Sequence, residues 1–171
     1  VDAVNARNSD LTHRYYHLKA GWMGVKQLNW WDRNAPLPGD DDRQFSWDEA
    51  RNIVLDAFAG FDPKMAEIAA PFFRNNWIDA APRAGKSSGA FSHPVVPSVH
   101  PYILMNFAGK SRDVMTLAHE MGHGIHQSLA AHKGYLMSDT PLTLAETASV
   151  FAEMLTFRHL LDSQDDAASR R

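Results

Sequence analysis

Residues 111–134 read SRDVMTLAHEMGHGIHQSLAAHKG, and the periodicity of this stretch decides the fold. Val114, Leu117, Met121, Ile125 and Ser128 gather on one side of a helical wheel. The spacing predicts a helix from about Ser111 that stops at Gly134. Within it, residues 119–123 are His-Glu-Met-Gly-His. Four residues turn a helix by about 400°, so His119 and His123 share a face one turn apart, where both imidazoles can reach a single ion. Glu120 projects about 100° to the side, beside such an ion rather than on it. An H-E-x-x-H sequence on a helix is the pattern of two metal-binding histidines with a glutamate placed as general base.

A catalytic zinc usually takes three protein ligands and leaves one position open. The chain has no cysteine, so imidazole and carboxylate must supply all of them. Candidates for the third are His126, Asp139, Glu146, Glu153 and His159. His126 lies on the face of the pair but about 10 Å along the axis from His119, too far for one tetrahedral ion, and is expected to support the ligands instead. Thr140 and Pro141 supply a helix start, and the helix they open runs through Leu161. A connection of about ten residues lets that helix fold back antiparallel on the first, bringing Glu146 opposite the two histidines. Glu153 is two turns further on the same face, and spacing prefers Glu146 over it only modestly.

Outward from this hairpin, three more helices are expected. Leu11, Tyr15, Leu18 and Trp22 recur at helical spacing over Ser9 to Gly24. Ser46 and Glu49 form a capping box for a helix ending near Gly60, and Asp62 with Pro63 opens another that is interrupted or ends around Pro71. Pro36 to Arg43 is a polar surface loop. Strands are expected at Gly85–Ser92 and Tyr102–Phe107. The fold class is therefore mainly α with a small β-sheet.

Composition narrows the function. A 44% hydrophobic content supports a packed core rather than disorder. Seventeen Lys and Arg against twenty Asp and Glu, with no basic face, argue against nucleic acid as a partner. No apolar run approaches the roughly 20 residues that span a bilayer, and the start lacks a signal-peptide core, so a cytoplasmic location is expected. Gly85–Gly89 lacks the spacing of a phosphate-binding loop. The chain starts at Val1, and Ser169–Arg171 continue a helical pattern without a stop, so residues 1–171 are expected to be part of a longer catalytic domain.

Beyond the five-residue motif, LAHEMGHGIHQ at 117–127 resembles the extended zinc helix of the oligoendopeptidase F branch of the thimet oligopeptidase family. LAETAS at 144–149 is similar to the segment that supplies that family's glutamate ligand, which maps onto Glu146. PRAGKSSGAF at 82–91 and PYILMNF at 101–107 resemble its two strands before the zinc helix, and a weaker likeness runs through Tyr15 to Pro36. The resemblance implies a zincin-like fold and one Zn²⁺ held by His119, His123 and Glu146. It further implies Glu120 as base, and oligopeptides as substrates hydrolysed by a metal-activated water. It also tips Tyr102, Ile103, Leu104, Met105 and Asn106 toward an edge strand that pairs with the substrate, where an ordinary buried strand was the equal alternative. Glu153 and His126 are expected beside the ligands. The family's chains are several times longer and place transition-state donors after this region, so the rest of a longer polypeptide is the expected partner. Tyr135 and His132 are the chain's own candidates for such donors. A non-catalytic zinc-stabilised module and a metal-free helical interaction domain are the rival readings.

Overall fold

The computed structural model describes residues 1–37 and 43–163, which fall into two compact units, 1–37 and 43–163. Most of the Pro36–Arg43 loop and the helical pattern at Ser169–Arg171 lie outside the described residues.

The first unit is a helix, α1 (Asp2–Trp22), followed by a 3₁₀ turn, Trp30–Asn34. Its buried Lys19 donates from Nζ to the Arg33 carbonyl at 2.9 Å, which satisfies the ammonium.

The second unit carries the histidine pair. Its first helix, α2 (Trp47–Phe61), starts at the expected capping box, with the Ser46 N–H donating to Glu49 Oε2 at 2.8 Å and the Glu49 N–H donating to Ser46 Oγ at 3.2 Å. Asp62 caps α3 (Pro63–Arg74) by accepting from the Lys64 N–H at 2.9 Å, and Pro63 takes the first helical position. This helix continues to Arg74 through Pro71, where an interruption or an end was expected. Ala69 and Phe72 are buried, and that packing outweighs the one main-chain hydrogen bond a proline removes.

Three short strands follow: β1 (Ile78–Asp79), β2 (Phe91–His93) and β3 (Tyr102–Leu104). Their order is β1-β3-β2, with β1 parallel and β2 antiparallel to β3. Gly85–Ala90 is connecting loop rather than strand, and β1 was not expected at all. Lys86, with a 1% exposed side chain, holds that loop by donating to the Asp79 and Ala81 carbonyls and to Asp79 Oδ1.

The edge-strand expectation for Tyr102–Asn106 is overturned. β3 is the central strand and its main chain is paired on both sides, while Ile103 is 2% and Met105 0% exposed in the core. An incoming peptide finds no free edge there.

α4 (Ser111–Ala130) closes with a 3₁₀ turn and Gly134 at φ +80°, the conformation glycine adopts without strain. Asp113 Oδ2 secures its start, accepting from the N–H groups of Ala108 and Lys110 at 2.8 and 3.0 Å. Val114, Leu117, Met121 and Ile125 face the core, meeting Val54 and Phe58 of α2, Phe72 of α3 and Ile103 of the sheet. Each such side chain contributes roughly 1.5–3 kcal/mol on burial.

α5 (Leu142–Asp162) begins one residue later than the Thr140–Pro141 signal, with Pro141 as cap. It runs antiparallel to α4: His119 meets Glu153, Gly122 meets Ala148 and Ser149, and His123 meets Glu146. Gly122 sets the approach, since a Cβ there would stand 2.7 Å from the Ala148 carbonyl oxygen.

Candidate metal centre

The face of α4 turned toward α5 presents the two histidines to a carboxylate. Glu146 Oε2 lies 3.2 Å from His119 Nε2 and 3.7 Å from His123 Nε2. Two atoms bound tetrahedrally at about 2.0–2.1 Å from one ion stand about 3.3–3.4 Å apart, so these separations suit a shared metal. His119, His123 and Glu146 form the one such group among the described residues, with ligand atoms within 4.8 Å of each other. His126 is not in it and instead lines an apolar groove with Phe61 and Phe151. Asp139 and His159 are likewise absent from the group.

Two of the three are oriented by a neighbour. Ser149, one turn along α5, places Oγ 2.8 Å from Glu146 Oε2 and donates to it. That hydrogen bond is the main reason the Glu146 carboxyl sits below its ordinary pKa, helped by the two histidines. Glu153 Oε2 is 3.3 Å from His119 Nδ1, so the imidazole can give Nδ1–H to Glu153 while Nε2 faces Glu146. Burial lowers the pKa of His123, which favours the neutral ring a metal requires.

Glu120 is 6% exposed. Burial raises its pKa, the His119 imidazole opposes this, the Glu146 charge adds to it, and a hydrogen bond from the Ser92 main-chain N–H lowers it again. Ser92 belongs to β2, the edge strand beside α4. Gln127, two turns past Glu120, clamps the same residue: Ser92 Oγ donates to Gln127 Oε1 at 2.8 Å, and Gln127 Nε2 donates to the Ser92 carbonyl at 3.2 Å. Ser92, Gln127 and Ser149 were not anticipated from the sequence. They are common residue types, and for Ser92 and Gln127 the partner is 35 residues away.

Beside the trio, a cleft of about 450 Å³ is lined by Gly89, Ala90, Asn106, His119, Glu120 and Glu153 among others. Asn106 stands in its wall, but its Nδ2 is committed to the Ser87 and Gly89 carbonyls. Tyr102 is half-exposed and packs against the His100 ring, which is itself stacked on Trp77. His132 and Tyr135 lie in the connection after α4, where His132 Nδ1 is 2.6 Å from the Leu129 carbonyl. Among the described residues no helix is long and apolar enough to cross a membrane.

Two histidines, a carboxylate on an antiparallel helix and a buried glutamate beside them make up the candidate site. The sequence pattern of peptidase family M3 matches residues 1–169, and the chain belongs to that family. It is 30% identical to oligopeptidase PepF of Bacillus subtilis (strain 168) over 171 residues, covering 99% of this chain and 25% of that protein. It is 32% identical to an oligoendopeptidase F homolog of Lactococcus lactis subsp. lactis (strain IL1403), covering 91% of this chain and 26% of that one. The chain thus spans about a quarter of the length of these curated relatives. A candidate peptidase from Chlamydophila abortus superposes with a TM-score of 0.79 at 27% identity, over 95% of this chain and 27% of its own. A candidate oligoendopeptidase F from Bacillus anthracis str. Ames shares the fold, with a TM-score of 0.78 at 20% identity over 94% of this chain and 30% of its own.

Proposed function

We propose that this chain carries the metal centre and general base of a zinc oligoendopeptidase, with His119, His123 and Glu146 as ligands and Glu120 as base. The observation that carries the reading is the spacing of the two Nε2 atoms around Glu146 Oε2 with a buried carboxylate alongside. Zinc, when bound, supplies Lewis acidity that brings the pKa of water toward about 7 and polarises a carbonyl.

Glu120 takes a proton from the attacking water as the new C–O bond forms, and returns it to the amine nitrogen as the peptide C–N bond breaks. The raised pKa given by burial suits both halves of that transfer. Ser92 N–H keeps the carboxylate aimed, Glu153 fixes the His119 ring and Ser149 fixes Glu146. With β3 internal, the substrate is assigned to the cleft between α4 and the Gly89–Ala90 segment that precedes β2. A purely structural zinc is the second reading, but a three-ligand group with a carboxylate as buried as Glu120 beside it favours the catalytic one.

The test is hydrolysis of short unstructured peptides by the zinc-loaded chain, followed by mass spectrometry. Cleavage that needs zinc and drops about 10²–10⁴-fold in Glu120→Gln with the metal retained is the expected result. Cleavage undiminished in that variant contradicts the assignment.

A further inference from the structure

A second pocket continues the track on the far side of the base. Gly89 and Ala90 line the cleft before Ser92, and immediately after β2 the chain turns at Pro94–Pro97 into a pocket of about 320 Å³. Its lining includes Val95, Val96, Val99, Tyr135, Leu136 and Gln127. The two hollows also follow one another along α4: Thr116, His119 and Glu120 border the first, Gln127 and Ala131 the second. Gln127 is common to this pocket and to the clamp on Ser92 of β2.

Two features show a shaped wall. Val95 has φ +62°, a region β-branched residues seldom occupy, and its N–H donates to His93 Nδ1 at 3.0 Å. From the connection after α4, Tyr135 and Leu136 stand 70% and 87% exposed over the opening, apolar surface that an occupant would cover. Asp139 also lines the pocket, but its Oδ1 already accepts from the Thr140 N–H at 2.9 Å, and its charge disfavours an acidic guest.

We propose that this pocket selects an aliphatic side chain of the oligopeptide substrate. The proposal rests on the function proposed above. Its place on the substrate path comes from β2, since the pocket opens where the chain turns directly after that strand. Because the Ser92 carbonyl is already taken by Gln127 Nε2, main-chain pairing at that level is restricted, and side-chain selection falls to the pocket beyond.

The test titrates zinc-loaded Glu120→Gln chain by calorimetry with alanine-glycine-serine nonapeptides in which one Leu, or one Glu, is moved through every position. One position should bind about tenfold more tightly with Leu than with Ala, and Glu there should weaken binding. That Leu-to-Ala ratio should fall to about one in Val96→Asp and in Leu136→Ser, both at exposed positions whose substitution leaves the core intact. Binding without any positional preference, or a preference that survives both substitutions, overturns the pocket while leaving the proposed function standing. Absence of peptide binding at every position, together with absence of cleavage by the unsubstituted chain, overturns both.

Discussion

Glu120 sits buried next to two histidines and a second carboxylate, and the charges there pull stability in opposite directions. In the metal-free chain, His123 has a pKa below its unfolded value of 6.5, so its contribution is lost as pH falls from neutral through 6.5 toward the folded value. The Glu146 pKa lies below 4.5 in the folded chain, so its contribution is present above 4.5 and lost on further acidification. Glu120 works the other way: its folded pKa is above 4.5, so its ionised form costs stability at neutral pH, and that cost is relieved on acidification. Under chelator at pH 7, Glu120→Gln should therefore melt at a higher temperature than the unsubstituted chain, and the gap should narrow by pH 5. Equal melting temperatures at both pH values would show that the Glu120 burial carries no such cost.

At the scale of elements, the α4–α5 contact is what brings Glu146 to the two histidines of the helical motif. Gly122 and Gly124, both inside α4, separate its two packing partners. A Cβ on Gly122 would meet Ala148, Ser149 and Ala152 of α5 at 2.7–2.8 Å, whereas one on Gly124 would meet the Phe72 ring of α3 at 2.9 Å. Either alanine should destabilise the chain by about 1–3 kcal/mol through overpacking. Only Gly122→Ala displaces the turn bearing Glu146 and Ser149, and it should also weaken zinc binding about tenfold or more. Thermal unfolding and a chelator-competition titration of both variants check this. Equal metal affinity in the two would remove the α5 approach as the determinant of the site.

The elements also show what was legible. α4 was readable because apolar period, stop signal and motif agree on one segment, and α2 because Ser46 and Glu49 form their cap locally. That Glu146 comes to the histidine pair was readable from the resemblance of residues 144–149, with spacing alone leaving Glu153 in contention. Strand order was not readable. Pairing of Ile103 with both Ile78 and Ser92 is a property of the sheet, and the apolar run at 102–107 looks the same whether it lies at an edge or in the centre. Ser92 and Gln127 escaped for the same reason, since their meeting depends on where the sheet edge falls beside α4.

At the scale of the molecule, α5 leaves an apolar stripe in solvent. Val150, Met154 and Phe157 recur at spacings of four and three and are 47–50% exposed, and Phe151 beside them carries Phe61 on its ring. A helix apolar on more than one face normally has neighbours on each. The isolated 171 residues should associate with increasing concentration in sedimentation velocity, and Val150→Lys with Met154→Glu should suppress it. A single monomeric species at all concentrations would show that this face is tolerated in water.

The central claim is that one zinc ion is shared by His119, His123 and Glu146 while Glu120 stands beside it. Zinc content of the purified chain, measured by elemental analysis after competition with a graded chelator, tests it most directly. One zinc per chain is expected, retained in Glu120→Gln, lost in His119→Ala, His123→Ala and Glu146→Ala, and held about 10–100-fold more weakly in Glu153→Gln, where the His119 ring loses its partner. A chain that binds no zinc, or one that keeps full affinity in Glu146→Ala, would contradict the account.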